Sequence, residues 1–472
     1  MSFSPVAIVG QGCVLPGALS PEELWSLVSD GRVLIGPAPA GRWGLDPRLV
    51  LSNDAKDTHD RTLHDRGGYV QGFERVFDPR GFALSPDQIV GLDPLFQWLL
   101  HAGREALRDV RFRGDKKRAG VIVGNLSYPS SSLAQLAERF WLGQTAPDLV
   151  ERLQLPPIDP RNRFMSGLPA HLAAKALGLG GLAFALDAAC ASSIYAIKLA
   201  CDELHDGRAD LMLAGAVNRA DDLFIHQGFT ALGALSPSGK SRPFHAEADG
   251  LMPAEGAALV ALRRLEDARR DGDRILGVIR GIGLSNDGRS RGLLVPSQEG
   301  QMRALRAAYA AAELSPDDVS MIECHATGTS VGDAVEVRAL AEVFAQRSQP
   351  LPIGSLKANL GHLITAAGAA GLLKVLASLR AGMRPPTPSL DKPTPSLAGT
   401  PLRLLTKPEA WNEPGLRRAA ISAFGFGGNN AHLIVEEATG KPPAPRKPPH
   451  ARVAVGIVAI GARVGDGRCT AD

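Results

Sequence analysis

A cysteine set among small residues is the first feature with chemical potential. In DAACASS, Asp187 to Ser193, Cys190 follows an apolar run, GLAFAL, and precedes a helical pattern through Ile194, Ile197 and Leu199. That order places the thiol at a strand-to-helix junction, where small neighbours permit a tight turn that presents a side chain. Unpaired N–H groups at a helix start favour a thiolate, so a lowered thiol pKa and a nucleophilic role are expected. A buried core cysteine is the competing reading of this segment taken alone. Cys201, further along the same helical pattern, reads as core packing.

Three more segments could supply partners. In ECHATGTSVGD, Glu323 to Asp333, an apolar run, VSMIECH, ends at His325. A histidine at the end of a buried strand often lines a site in α/β folds. Thr327 and Thr329 in the following loop suit hydrogen bonds to an amide-bearing ligand. In GSLKANLGHLITAAGAAGLLK, Gly354 to Lys374, Lys357 and His362 precede a helix of small residues. Lys357 is the type of cation that holds a nearby carboxylate, such as Asp333 or Glu336. In AFGFGGNNAH, glycines surround Phe426, and such a turn can aim backbone N–H groups at a developing oxyanion. Each segment also has a plain reading: a structural histidine, an exposed loop, a β-turn.

These residues need a scaffold, and the pattern supplies an α/β one. Near-continuous apolar runs (VAIVG, AGVIVG, GLAFALDAA, ADLMLAGAV, AALVAL, ILGVIRGIGL, VSMIECH, PIGSLK, AAISAFG, HLIVEE) alternate with helical stretches such as IYAIKLACDELHDG and EGQMRALRAAYAAAEL. Such runs imply sheets covered on both faces. No repeat of 20–50 residues is visible in the periodicity. VGQGCVLPG resembles a dinucleotide loop only superficially, because Leu15 stands where the third glycine is needed and Pro16 interrupts the helix.

Bulk properties narrow the function classes. The chain has 472 residues, 44% hydrophobic and 21% charged, with a net charge of +3, which suits a globular protein with a sizeable core. No dense basic run carries interleaved aromatics, so a nucleic-acid role is not expected. A weakly positive rim around an entrance would still favour an acidic partner. The five cysteines are scattered without CxxC spacing, which argues against a disulfide framework or a zinc site. A reducing, cytoplasmic location is expected. No window of about 18 consecutive apolar residues suggests a spanning helix. After Glu437 the composition changes. KPPAPRKPPH, 441–450, reads as an extended linker, and ARVAVGIVAIGARVGDG reads either as the start of a following domain or as a tail.

Taken in order, the four segments resemble the β-ketoacyl synthase (ketosynthase) family of fatty-acid and polyketide synthases. The resemblance spans roughly Val6 to Glu437 and includes SPSGKSRPFHAEADG and Glu255. It implies a thiolase-like, five-layered αβαβα fold of two pseudo-duplicated halves, 1–262 with the nucleophile and 263–437 with both histidines, followed by 438–472. By this resemblance Cys190 is the acylated nucleophile and His325 and His362 are its catalytic partners. Lys357 is steadied by Asp333 and Glu336, and Thr327 and Thr329 contact a pantetheine arm. Phe426 is the gate, whose N–H forms an oxyanion hole with that of Cys190. The chain departs from the family pattern at His245, at Met252-Pro253-Ala254 and at Asn429.

The implied reaction is decarboxylative condensation of a Cys190-bound acyl group with malonyl on an acyl carrier protein. The phosphopantetheine arm belongs to that partner, and neither metal nor other cofactor is expected. The segments look most like ketosynthases of polyunsaturated fatty-acid synthases, with iterative, enediyne-type polyketide synthases next. A homodimer, or a dimer with a chain-length factor, is implied. A thiolase is disfavoured because the C-terminal glycine loop lacks a cysteine, and a non-catalytic chain-length factor because Cys190 is present. Acyl selectivity is expected from residues near Tyr128, Met165 and Phe229.

Overall fold

The computed structural model describes residues 3–439 apart from 44–45, 53, 55–57, 59, 156, 164–165 and 290–294, together with 456–459, 461–464 and 467–470. Met165 and the proline-rich 441–450 therefore lie outside the described residues. In chain order, the main sheet and its principal helices begin with β1 (Val6–Val14), α1 (Pro94–Leu107), β2 (Ala119–Asn125), α2 (Leu168–Leu177), β3 (Ala183–Leu186) and α3 (Ser192–His205). Next come β4 (Leu211–Asn218), α4 (Asp222–Ala231), β5 (Gly256–Arg264), β6 (Gly277–Asn286), α5 (Gln298–Ala312) and β7 (Ile322–Glu323). The series closes with α6 (Ser330–Val343), β8 (Leu351–Gly354), α7 (Ala367–Ala381), β9 (Leu402–Leu404), β10 (Arg418–Gly425) and β11 (Asn429–Glu436).

The sheet order is β9-β8-β7-β10-β11-β6-β1-β5-β4-β2-β3. It contains the same unit twice. The first five strands, numbered within their half, run 3-2-4-5-1. The second half, leaving out the added edge strand β9, runs 3-2-4-5-1 as well. Pairing directions repeat too. β2 is parallel to β3 and β4, as β7 is to β8 and β10, and the last two strands of each half pair antiparallel with each other, as the last does with the first. The halves join where Val6–Ile8 pair antiparallel with Gly277–Ile279.

Strand alternation sends side chains to two different cores. On β2, Ile122 enters a central core while Val121 and Val123 enter an outer one with α1 and α2. On the other half, Ile322 and Ile353 join an outer core with α5 and α6, while Ile421 and Leu433 face the centre. The central core holds α3 and α7, so the layers read helix, sheet, helix, sheet, helix. This is the expected thiolase-like architecture.

Two sequence features acquire causes. Gly10 and Gly12 of VGQGCVLPG lie in β1, and a Cβ on either would run into the α1 backbone at Ala106 or Ala102. They serve close packing and not a phosphate. The window Ile364–Ala381 is apolar and long enough to cross a membrane by composition, yet 83% of it is buried inside the protein. Its glycines permit that depth: a Cβ on Gly368 would lie 2.7 Å from Ile194 Cγ1 of α3. Within this helix, buried Lys374 pairs with Glu323 at 2.7 Å.

Candidate active site

Cys190 sits where β3 turns into α3. The turn is a single 3₁₀ turn, Ala189–Ala191, opened by Ala189 at φ 50°. A non-glycine residue there is strained, and the strain is held by clamps on both sides. Asp187 accepts from Ala189 N at 2.9 Å and Ser127 N at 3.0 Å. Ser192 Oγ accepts from Ala188 N at 2.8 Å and donates to Ala189 O at 2.6 Å. The turn thus projects the sulfur towards the second half of the chain.

His362 meets it there. Its Nε2 lies 3.0 Å from Cys190 Sγ. Its own backbone is pinned across the fold: His362 N donates to Met252 O at 2.6 Å, and its carbonyl accepts from Ala254 N at 2.9 Å. The Met252-Pro253-Ala254 departure therefore forms the bridge that seats the histidine. Gly361, at φ +83°, makes the approach possible, since a Cβ there would lie 2.9 Å from Met252 O.

His325 completes the cluster, its ring centroid 5.4 Å from that of His362. β7 ends at Glu323, so His325 lies in the loop beyond the strand and not at its last position. Two acids on the first turns of α6 shape that loop through backbone hydrogen bonds. Glu336 accepts from His325 N at 2.8 Å and Ala326 N at 2.7 Å. Asp333 accepts from Thr327 N at 3.0 Å, Gly328 N at 3.2 Å and Phe244 N at 2.8 Å. Burial raises both carboxyls, Asp333 to about 6 and Glu336 to about 7, against these hydrogen bonds and the Lys357 charge.

The electrostatics correct one sequence expectation. Burial pushes the Cys190 thiol up to about 11; the Lys357 charge and the N–H groups of Phe426 and Cys190 itself, directed at the sulfur, only partly oppose it. The lowered thiol expected from sequence is thus not found, because burial outweighs the Lys357 charge and the two N–H groups. Burial and then Lys357 hold His325 and His362 well below the ordinary imidazole value, so both rings are neutral near pH 7. Lys357 is itself lowered by burial, with Glu323 and then Glu336 the main charges opposing this.

The Phe426 turn closes the site. Gly425 packs on the nucleophile turn so tightly that a Cβ would lie 2.6 Å from Ala188 O and 3.1 Å from Cys190 N. The Phe426 ring is 6.2 Å from Phe229, which shares a small apolar cluster with Cys190. A cavity of about 390 Å³ opens here, lined by Cys190, His325, His362, Thr327, Thr329 and Phe426 among others. Thr327 and Thr329 touch through their hydroxyls at 3.0 Å. Tyr128 instead stacks edge-on with Phe224 and is not among the residues lining this cavity.

The nine candidate catalytic, supporting, gate and pantetheine-binding residues thus lie at one place. Among the described residues, however, Lys357 makes no ion pair with Asp333 or Glu336, whose oxygens accept from backbone N–H groups, and it acts on the site through its charge. Sequence reasoning does not find Glu323, which anchors Leu356 N at 2.6 Å and pairs with Lys374, or Ser241, which donates to Lys357 O at 2.6 Å. An acid inside an apolar strand run is the available signal for Glu323. The remaining departures are accommodated locally. His245 accepts from Glu247 N at 2.9 Å and faces Asp391 at 3.1 Å, and Asn429 pairs with Asn286 at 3.1 Å.

A doubled β-sheet fold with a cysteine and two neutral histidines at its centre defines a condensing-enzyme class. Residues 3–268 match the Beta-ketoacyl synthase, N-terminal domain, residues 276–391 the C-terminal domain, and residues 391–463 the Ketoacyl-synthetase C-terminal extension. The chain belongs to the β-ketoacyl synthase family of acyl-transferring condensing enzymes. It is 39% identical to the Spectinabilin polyketide synthase system protein NorA' of Streptomyces orinoci, over 95% of this chain and 12% of that protein. It is 37% identical to the Pikromycin polyketide synthase component PikAIII of Streptomyces venezuelae, over 95% and 29%. The chain therefore spans under a third of these relatives. Among solved structures, the PfaC Keto synthase-Chain length factor is similar with a TM-score of 0.87 and 39% identity, covering 93% of this chain and 48% of that one. The ketosynthase from module 6 of the bacillaene synthase from Bacillus subtilis 168 gives 0.78 and 30%, over 92% and 72%.

Proposed function

We propose that this ketosynthase extends an acyl chain held on Cys190 by two carbons drawn from malonyl on an acyl carrier protein. The carrying observation is the 3.0 Å contact between Cys190 Sγ and a neutral His362, with two backbone N–H groups aimed at the sulfur. A thiol pushed up to about 11 needs a base at the moment of attack. His362 takes the proton while the sulfur attacks the acyl thioester carbonyl. The N–H groups of Cys190 and Phe426 then receive the oxyanion, and the pantetheine thiolate leaves and is protonated.

Malonyl loses CO2 in the second half-reaction. The electron pair of the broken C–C bond becomes an enolate on the thioester oxygen. Two neutral imidazoles donate hydrogen bonds to that oxygen, where carboxylates would repel it. The enolate carbon attacks acyl-Cys190, the C–S bond breaks with its electron pair on sulfur, the Cys190 thiolate takes a proton from solvent, and the β-ketoacyl thioester departs on the carrier. Thr327 and Thr329 hold the pantetheine arm, Asp333 and Glu336 set the His325 loop, and burial, reinforced by the Lys357 charge, keeps both imidazoles neutral. The partner carries the phosphopantetheine, so no cofactor is assigned to this chain.

The chain works in this reading inside a larger polyketide or polyunsaturated fatty-acid synthase. The Streptomyces relatives support the first setting and the resemblance to PfaC the second. It pairs with a second copy or with a chain-length-factor domain, and it acts in the cytoplasm. Intact-mass measurement after incubation with an acyl thioester tests the assignment. One acyl adduct is expected on the native chain and none on Cys190→Ala. An adduct that persists on the variant overturns it.

A further inference from the structure

We propose that Cys190, His325 and His362 also form a reversible binding site for a soft divalent cation of the Zn²⁺ type, which switches the enzyme off. One donor atom from each residue lies within 4.8 Å of the other two. Tetrahedral zinc, with bonds near 2.0 Å to nitrogen and 2.3 Å to sulfur, wants donors about 3.3–3.6 Å apart. The Cys190 Sγ to His362 Nε2 distance of 3.0 Å already lies close to that range. The other separations, within 4.8 Å, would close by rotation of side chains that all line one cavity.

The donor set is also chemically right. One sulfur and two imidazole nitrogens select Zn²⁺ or Co²⁺ over Mg²⁺ or Ca²⁺. Both rings are neutral, so their lone pairs are free for a metal. Neither ring has a protein partner on Nδ1 among the described residues, so either tautomer can form. The Lys357 charge opposes a dication. Glu323 and Glu336, the charges that act most strongly on Lys357, offset it. The scattered cysteines carry no zinc-type spacing because this site exists only once the two halves meet.

The binding step balances simply. The Cys190 S–H bond breaks, the proton passes to solvent, and a metal–sulfur bond forms in its place, with no change of oxidation state. An acylated sulfur has no proton to exchange and is a poor ligand. Metal and acyl group therefore exclude one another, and the resting enzyme is the sensitive form.

Co²⁺ titration of the whole chain is the direct test, read by absorbance and independent of acyl transfer. One equivalent is expected to give a thiolate-to-cobalt charge-transfer band with tetrahedral visible bands. The bands vanish in Cys190→Ser and in native protein alkylated at Cys190, and they weaken at least tenfold in affinity in His325→Gln and His362→Gln. Zn²⁺ displaces the cobalt and blocks acyl loading, and a chelator restores it. The absence of a charge-transfer band, or its survival after Cys190 alkylation, overturns the proposal. Circular dichroism of each variant separates lost ligands from lost fold. If the bands appear but no acyl adduct ever forms on metal-free protein, the condensing assignment fails while the metal site stands.

Discussion

The same junction occurs twice in this molecule and is used differently each time. In the first half the third strand, β3, leads through a 3₁₀ turn opened by Ala189 at φ 50° into the central helix α3. In the second half the third strand, β8, leads through a longer connection to a 3₁₀ turn opened by Ile364 at φ 49° and then into α7. The second position of the turn is Cys190 in one half and Thr365 in the other. Cys190 faces the cavity, whereas Thr365 donates to Val217 O of β4 at 2.7 Å. The longer connection of the second half carries Lys357 and His362. One copy of the junction thus supplies the nucleophile, and the other became a bracket that brings the nucleophile its base.

The asymmetry can be attacked through chemistry or through stability, beginning with the base that the second half brings to the nucleophile. His362→Ala is expected to slow CO2 release from a malonyl thioester by about two to four orders of magnitude, the usual range for a positioned acid–base or oxyanion donor. Acyl loading of Cys190 is expected to suffer less, and unchanged malonyl turnover would remove His362 from the reaction. Next comes the reactivity of the thiol itself. A raised pKa means that the thiolate appears only as pH rises, so iodoacetamide labelling of Cys190 should climb about tenfold per pH unit, roughly a thousandfold from pH 7 to 10. A plateau near pH 7 would instead indicate a resting thiolate–imidazolium pair.

The bracket half should answer in stability. Lys374→Met strands the buried Glu323 carboxylate and is expected to cost about 3–5 kcal/mol in denaturant unfolding. A loss under about 1 kcal/mol would mean that Glu323 is held well enough by one backbone hydrogen bond, that of Leu356 N. The smallest effect belongs to Thr365→Val, about 1 kcal/mol for one buried hydrogen bond, with acyl loading unaltered. A collapse of acyl loading in that variant would show that the two turns still work as equals.

Much of this is legible in the amino-acid sequence, for identifiable reasons. The long apolar strands announce a sheet covered on both faces, and Cys190, His325 and His362 each sit beside small residues that tight turns require. The duplication is not visible in periodicity and is expected only through the family resemblance, because what the two halves share is strand order and turn geometry. The direction of the thiol pKa is hidden too. A helix start is visible locally, whereas full burial depends on Leu126, Phe229 and Ile364 closing round the sulfur from distant segments. Glu323 and Ser241 stay out of view for a similar reason: their partners, Lys374 and the Lys357 carbonyl, lie far along the chain.

The interior helix α7 carries a consequence for anyone who wishes to recombine such proteins. Its small residues are fitted against α3 of the other half, with Gly368 on Ile194 and Ala369 N donating to Ser193 Oγ at 3.0 Å. A crossover placed between β5 and β6 would separate these fitted faces and pair each with a stranger. Chimeras built from this scaffold should therefore inherit residues 6–436 from a single parent, with their joints outside the doubled sheet.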